Sequence, residues 1–301
     1  MRVIITGNMG YVGSVLVPIL AQKHPDWRLV GLDTGFFGHC IVPAHPLPER
    51  FLSNQLVSDL RMISESELSG FDAIVHLASL SNDPLGNQFD ELTKAINVEA
   101  SFRFAKLAKS AGVKNFVFAS SCSVYGRGSD KDRNEGDPLD PLTPYARSKI
   151  DLENRLREIA DSNFSVVALR FATACGFSPR MRSDLVLNDF VINAMISNRI
   201  QVLSDGTPWR PLIHVSDMSR AIDWALTENP VKPFLTLNIG SEAWTFQIST
   251  LANVVAQAIG NVSVEIASTA NVDSRSYRVD FSRFRQLAPV SYTHLTLPTK
   301  A

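Results

Sequence analysis

Short β-branched runs alternate with longer stretches of helical apolar spacing, a glycine-rich turn follows the first run, and an aspartate closes the second. These observations predict an α/β fold, a doubly wound parallel sheet with helices on both faces, joined to a smaller mixed α/β lobe.

The strand candidates of the first half are Arg2–Thr6, Leu29–Leu32, Ala73–Leu77, Asn115–Ala119 and Ser165–Leu169. Between them Tyr11–Lys23, Gln88–Ala111 and Pro144–Ala160 carry apolar residues at helical spacing. The stretch Thr34–Asn54 breaks the rhythm, because Pro43, Pro46 and Pro48 forbid a regular helix, and it reads as a long loop. From about residue 171 the pattern is mixed: a helix at Leu185–Ser197, a strand at Ile200–Leu203, a turn at Asp205–Pro208, a helix at Asp217–Thr227, a strand at Leu235–Ile239 and a helix at Phe246–Ile259. The expected organisation is a Rossmann-type dinucleotide-binding domain over 1–170 and a substrate lobe over 171–289, with segments around 210–240 as candidates to rejoin the first sheet.

Composition narrows the function classes. The 301 residues are 45% hydrophobic and 20% charged, enough to bury a sizeable core and too apolar for a disordered chain. Lys plus Arg number 29 against 30 for Asp plus Glu, with no long block of like charge, which argues against nucleic-acid and membrane-surface partners. No signal-peptide pattern opens the chain, and no apolar run reaches the roughly 18 residues of a membrane span. Cys40, Cys122 and Cys175 show no metal-ligand spacing, so the expectation is free thiols, no metal site and a cytoplasmic location.

The first chemical motif is TGNMGYVG between the first strand and the first helix, which places Gly7, Gly10 and Gly13 where a dinucleotide fold needs a tight turn and close backbone approach. A diphosphate would then rest on the amides and positive dipole of the helix N-terminus. Three glycines alone also serve as a plain strand-to-helix turn, but Asp33 follows Gly13 by 20 residues at the end of VGLD. A carboxylate there accepts ribose hydroxyls and repels a 2′-phosphate, which points to NAD over NADP, and no Arg or Lys lies between Asp33 and Glu49 to offset it.

The second motif joins VFASSCSVYG to PLTPYARSK. Thr143 can cap a helix whose first residue is Pro144, so Tyr145 and Lys149 share one face. An ammonium beside a phenol favours the phenolate, which lets tyrosine act as a general base, and Ser121 at the end of the fifth strand can bond the same substrate oxygen.

With HLAS at 76–79 in register between these motifs, the chain resembles the extended short-chain dehydrogenase/reductase family, in particular its NAD-dependent nucleotide-sugar epimerase/dehydratase branch, over residues 1 to about 289. The resemblance implies Ser121, Tyr145 and Lys149 as the catalytic trio, with Tyr145 and Lys149 also touching the cofactor. It implies Gly7, Gly10 and Gly13 at the phosphates, Asp33 at the ribose, Asp59 and Leu60 on the adenine side, Leu77, Ala78 and Ser79 along the cofactor, and Asn97 near the active site. In the second lobe LRFATACG places Thr173 where the family has a substrate-contacting asparagine. SPRMRSDLVLNDFV supplies Arg180, Arg182 and Asn188, and DGTPWRPLIHVSD supplies Arg210, all expected to bind the substrate, the arginines at its diphosphate; a solvated loop is the alternative for Arg180 and Arg182. A homodimer is implied as well.

Dehydratases of this branch carry Asp-Glu directly after the catalytic Thr or Ser, and related decarboxylases a Glu; this chain has Cys122 and Ser123. Without an acid for a leaving hydroxyl, the expected reaction is NAD-dependent epimerisation of a nucleotide-diphosphate sugar through a transient ketone. A net oxidoreductase, such as a nucleotide-sugar reductase or hydroxysteroid-type dehydrogenase, and a non-catalytic dinucleotide-sensing scaffold are the alternatives. Cys122 is expected to pack as a small hydrophobe, His76 and His214 to be satisfied strand residues, and Trp209, Trp224 and Trp244 to be core or lobe-interface aromatics. The closing VSYTHLTLPTKA reads unlike the rest and resembles an in-frame translation of a sequencing adaptor; 290–301 is therefore expected to be foreign, with the natural end of the substrate lobe missing.

Overall fold

The computed structural model describes residues 1–42, 46–81, 88–127, 131–228, 232–267 and 275–288. Pro43 and the 290–301 tail lie outside these residues.

Strand β1 (Arg2–Thr6) leads through the glycine turn into α1 (Gly13–Lys23), followed by β2 (Arg28–Asp33), β3 (Asn54–Val57) and β4 (Ala73–His76). A continuous helical stretch then comprises α2 (Asp90–Lys94), a π-helical segment Ala95–Ala100 and α3 (Ser101–Ser110). Next come β5 (Asn115–Ser121), α4 (Pro144–Ile159) and β6 (Ser165–Phe171). The remaining elements are β7 (Thr173–Cys175), α5 (Val186–Ser197), β8 (Arg199–Val202), β9 (Trp209–His214), α6 (Val215–Thr227), β10 (Phe234–Ile239), β11 (Thr245–Gln247), α7 (Ile248–Ile259), β12 (Ser263–Ile266) and α8 (Ser282–Leu287).

Seven strands form one sheet in the order β10-β6-β5-β4-β1-β2-β3, every neighbouring pair parallel. This is the Rossmann-type α/β fold that the sequence predicts. Its strands are near-continuous apolar runs because both faces are covered. Alternation within β1 divides the core: Val3 and Ile5 join Leu16, Val17 and Leu20 of α1 and Ile222 and Ala225 of α6 on one face, while Ile4 joins Phe104 and Ala108 of α3 and Leu152 and Leu156 of α4 on the other. The winding reverses between β1 and β4, and the crevice at the carboxyl ends of these strands is where doubly wound sheets bind ligands.

Strand β10 returns to the large sheet, with Phe234 opposite Val166 and Ile239 opposite Phe171. The smaller lobe has a sheet β11-β9-β7 and a parallel pair β12-β8, over a core of Phe190, Ala194, Ile200, Val202, Leu212, Leu251 and Val255.

Several elements depart from the sequence reading. The long loop expected over Thr34–Asn54 contains a 3-10 turn at Pro48–Phe51 and ends as β3 begins, a four-residue edge strand too short and too exposed to show alternation. The helix expected from Phe246 starts at Ile248, because Thr245–Gln247 pairs antiparallel with β9 before the helix can begin. Strands β7 and β11, three residues each, fall below the length at which an apolar period is readable, and Pro211 inside β9 removes a strand signal there.

Candidate active site

The glycine turn is built by crowding. Gly7 sits at φ +72, and a β-carbon there would lie 2.7 Å from the Ala78 nitrogen, so only glycine lets the β1 turn approach the residues after β4. A β-carbon on Gly13 would lie 2.5 Å from the Asn8 Cα, so the helix starts flush against the turn, while Gly10 donates its amide to the Gly7 carbonyl at 3.0 Å. No side chain caps α1, and since the Ser14 amide already turns back to the Gly10 carbonyl, an anion at this helix start would meet the amides of the glycine turn before it.

Asp33 ends β2 and holds this turn: its carboxylate accepts from the Met9 amide at 3.1 Å and the Gly35 amide at 2.9 Å. Leu77, Ala78 and Ser79 line the other side; the Leu77 amide bonds the Thr6 carbonyl, the Ala78 amide bonds Thr6 Oγ1, and the Ser79 hydroxyl is buried without a partner among the described residues. Asp59 is differently engaged. It caps the turn at Leu60–Met62, and the Arg61 side chain forks onto it, with Nε 3.0 Å from Oδ1 and Nη2 2.7 Å from Oδ2. That fork holds its carboxyl below the usual range, and the neighbouring Leu60 is buried in the sheet core.

The candidate catalytic residues converge at the ends of β5 and α4. Thr143 Oγ1 accepts from the Ala146 amide at 3.2 Å and Pro144 is the first helical residue, the cap that the sequence predicts. Lys149 Nζ lies 5.2 Å from the Tyr145 ring centroid and 4.8 Å from that of Phe118, and donates to the Ala119 carbonyl at 2.8 Å. Ser121 Oγ accepts from the Ser123 amide at 3.1 Å, which leaves its hydroxyl proton to donate. The Ser123 hydroxyl is a second buried group with no partner among the described residues.

Burial pushes the Lys149 pKa down to about 7, against the pull of Glu153. Sequence reading missed the group behind it. Glu153, Arg170, Ser120 and Tyr125 form one buried network, with Ser120 Oγ donating to Glu153 and the Tyr125 hydroxyl to Asn238 Oδ1 at 2.7 Å. Glu153, Lys149 and Tyr145 recur every four residues along α4, a spacing that could have revealed the carboxylate.

Asn97 sits in the π-helical segment, a bulge of the kind found at functional sites. It pins the turn after β4, accepting from the Leu80 amide and donating to the Leu80 carbonyl and Ser148 Oγ. His76 is satisfied as expected: its ring nitrogens bond Thr6 Oγ1 and Ser101 Oγ, each at 2.9 Å, and burial lowers its pKa to about 3. Cys122 lies in the core with its thiol on the Arg170 carbonyl and its pKa pushed up by burial.

Of the second-lobe residues, Arg180 is 4% exposed and directed onto Ser14 Oγ, Glu49 and the Gly38 carbonyl of the first lobe. Asn188 is buried against the Gly176 amide, the Tyr11 hydroxyl and the Arg182 carbonyl. Arg182 forks onto Asp184 and reaches Ser81 Oγ at 2.9 Å. Arg210 lies over the Tyr277 ring and donates to the Trp209 and Arg275 carbonyls, and Thr173 pairs across from Leu212 in the same small sheet. Trp224 packs edge-on against Phe284, Trp244 against Phe246, and Trp209 stacks with the Arg278 guanidinium. His214 caps α6 with its ring Nδ1.

The model of the NAD dependent epimerase/dehydratase family matches residues 3–240. The chain belongs to this family. It is 31% identical over 258 residues, 80% of this chain and 77% of the relative, to a Bacillus subtilis protein described as the uncharacterized UDP-glucose epimerase YtcB. It is 24% identical over 282 residues, 92% of this chain and 78% of the relative, to the dTDP-D-glucose 4,6-dehydratase of Mus musculus. Among solved structures it resembles MoeE5 in complex with UDP-glucuronic acid and NAD, at 28% identity and a TM-score of 0.82 over 97% of this chain and 94% of that one.

NAD is the cofactor of this family. The residues present fit it: a crowded glycine turn that no side chain fills, an uncapped helix start, a carboxylate at the end of β2 and an orphaned buried hydroxyl at Ser79. No helix among the described residues is long and apolar enough to cross a membrane.

Proposed function

We propose that the chain is an NAD-dependent nucleotide-sugar epimerase that inverts one hydroxyl-bearing carbon through a transient ketone. The observation carrying this reading is the turn after β5. Where a dehydratase needs acids, Cys122 is fully buried in the core and Ser123 offers only a hydroxyl. Cys122 keeps its thiol on the Arg170 carbonyl inside the core, out of reach of a substrate, and a serine hydroxyl is too weak an acid to protonate a leaving hydroxyl.

NAD held at the glycine turn and Asp33 would supply the hydride acceptor and donor for the inverted sugar carbon. The chain's own residues handle the proton and the position. Tyr145 takes the sugar hydroxyl proton at its phenol oxygen and gives it back. Lys149, in its charged form, favours the Tyr145 phenolate and holds the nicotinamide ribose, and Ser121 donates its hydroxyl to the same sugar oxygen. Gly7, Gly10 and Gly13 admit the cofactor diphosphate, Asp33 takes the adenosine ribose, Leu77–Ser79 lie along the cofactor, and Asn97 fixes the turn that follows them. Arg210 and Thr173, on adjacent strands of the small sheet, and Arg182 at its approach are assigned to the substrate diphosphate. A homodimer in the cytoplasm completes the proposal.

The test is incubation with UDP-, GDP-, dTDP- and CDP-sugars, with and without added NAD, followed by separation of products. Epimerisation gives a stereoisomer with no accumulation of NADH. Loss of water would make the enzyme a dehydratase, and NADH formed in step with product would make it a dehydrogenase; either outcome overturns the proposal.

A further inference from the structure

Residues 176–182 leave the second lobe and cross the carboxyl ends of β1, β2 and β4, touching the three turns that border the cofactor crevice. At the β1 turn, the Tyr11 hydroxyl donates to the Gly176 carbonyl at 2.6 Å and Ser178 Oγ donates to the Tyr11 carbonyl at 2.7 Å. Beyond β2, the Val42 amide bonds the Pro179 carbonyl at 2.8 Å. After β4, Arg182 Nη1 reaches Ser81 Oγ at 2.9 Å.

The strongest fastening is Arg180. Its Nη1 lies 2.7 Å from Glu49 Oε1 and 2.9 Å from Ser14 Oγ in the first turn of α1, and Nη2 lies 3.3 Å from the Gly38 carbonyl. The Arg180 side chain is 4% exposed and that of Glu49 17%, and Arg180 Nε is buried without a hydrogen-bond partner among the described residues. One arginine from the second lobe thus ties together the start of α1 and two points of the segment after Asp33. A buried cation kept with an orphaned N–H is costly unless its partners stay in place, so the pair resists separation.

We infer that residues 176–182, fastened by Arg180 to Glu49 and by Tyr11 to Gly176, form a gate over the cofactor crevice that slows both entry and escape of NAD. The fastening contacts run from protein to protein, and none of them requires the cofactor. The gate therefore sets rates of exchange and leaves affinity nearly unchanged. Slow exchange suits a reaction that returns its hydride within each turnover and has no need of fresh cofactor. The inference rests on the crevice being the NAD site and is independent of which sugar is turned over.

The experiment uses the full chain stripped of cofactor and NADH as the probe. Stopped-flow fluorescence gives the association rate, and chase with excess NAD gives the dissociation rate. Glu49→Gln should raise both rate constants at least about tenfold, in proportion, with Kd held within about threefold. Tyr11→Phe, which removes one hydroxyl and covers the case in which Glu49→Gln does not fold, should raise both severalfold. Faster dissociation with unchanged or slower association would make these residues part of the binding surface and overturn the gate. Unchanged rates in both variants would overturn it equally. Failure of the unsubstituted chain to bind NADH or NAD would overturn the cofactor reading and the gate together.

Discussion

Glu153 and Arg170 meet in a two-bond fork one helical turn beyond Lys149, with Arg170 Nε 3.0 Å from Oε1 and Nη2 2.7 Å from Oε2. Both side chains are almost fully buried, and Arg170 Nη1 also donates to the Tyr125 hydroxyl at 3.1 Å. The fork ties α4, which carries Tyr145 and Lys149, to β6. Glu153 also opposes the burial that strips the proton from Lys149.

Glu153→Gln should therefore act twice. It leaves the Arg170 guanidinium buried without its counter-charge, which lowers the unfolding free energy by about 3–5 kcal/mol in urea titration. It also removes the group that raises the Lys149 pKa, so the alkaline limb of the kcat/KM profile should move to lower pH. A variant that is merely less stable, with an unmoved alkaline limb, would separate Glu153 from the charge of Lys149.

Stability should rise with pH in two windows. His76 falls from 6.5 to about 3 and Lys149 from 10.5 to about 7 on folding, each chiefly by burial. Between the folded and unfolded values the folded chain binds fewer protons, so each group penalises folding fully below its folded pKa and ceases to do so above its unfolded one. The denaturant midpoint should climb from about pH 3 to 6.5 through His76 and again from about pH 7 upward through Lys149. Asp59, Glu67, Glu99 and Asp161, with lowered values, add to the loss in acid, so the contrast with His76→Gln isolates the histidine. An unchanged acid slope in that variant would refute its contribution.

The large sheet was legible because its strands are long, apolar and buried on both faces, as at Ile4, Ile74 and Phe116. The glycine turn and the Tyr145–Lys149 face were legible because local geometry demands those residues at fixed spacing. The partners of Arg180 were not, since Glu49 and Ser14 lie 131 and 166 residues away in sequence and the pairing exists only once the second lobe docks. Glu153 was hidden for the same reason: its partner Arg170 lies on another element, and a lone glutamate on an amphipathic helix reads as a solvated face.

Asp33 positions the glycine turn, and the proposed cofactor site makes it the selecting residue as well. Its carboxylate already receives the Met9 and Gly35 amides, so it is fixed in place to meet ribose hydroxyls and to repel a 2′-phosphate. Asp33→Ala should shrink the ratio of NADP to NAD dissociation constants by about tenfold or more, mostly through weaker NAD binding, as the loss of hydrogen bonds to a charged group requires. Titration of both cofactors by fluorescence checks this. Equal affinities in the unsubstituted chain would show that Asp33 does not select.

The proton path gives the sharpest contrast. Tyr145→Phe removes the phenol oxygen and keeps the ring that lies beside Lys149. NAD and sugar nucleotide should bind within a few-fold of normal while turnover falls by about two to four orders of magnitude, the usual range for a positioned general base. Ser121→Ala should cost less, because in the proposed reaction Ser121 orients the oxygen and does not carry its proton. With deuterium on the reacting carbon, epimerisation returns the label to the same carbon in the product and none reaches solvent. Label recovered in free NADH would mean the cofactor leaves between half-reactions, and label moved to a different carbon with loss of water would mean a dehydratase. A Tyr145→Phe protein that still turned over at a tenth of the normal rate would show that another group takes the proton.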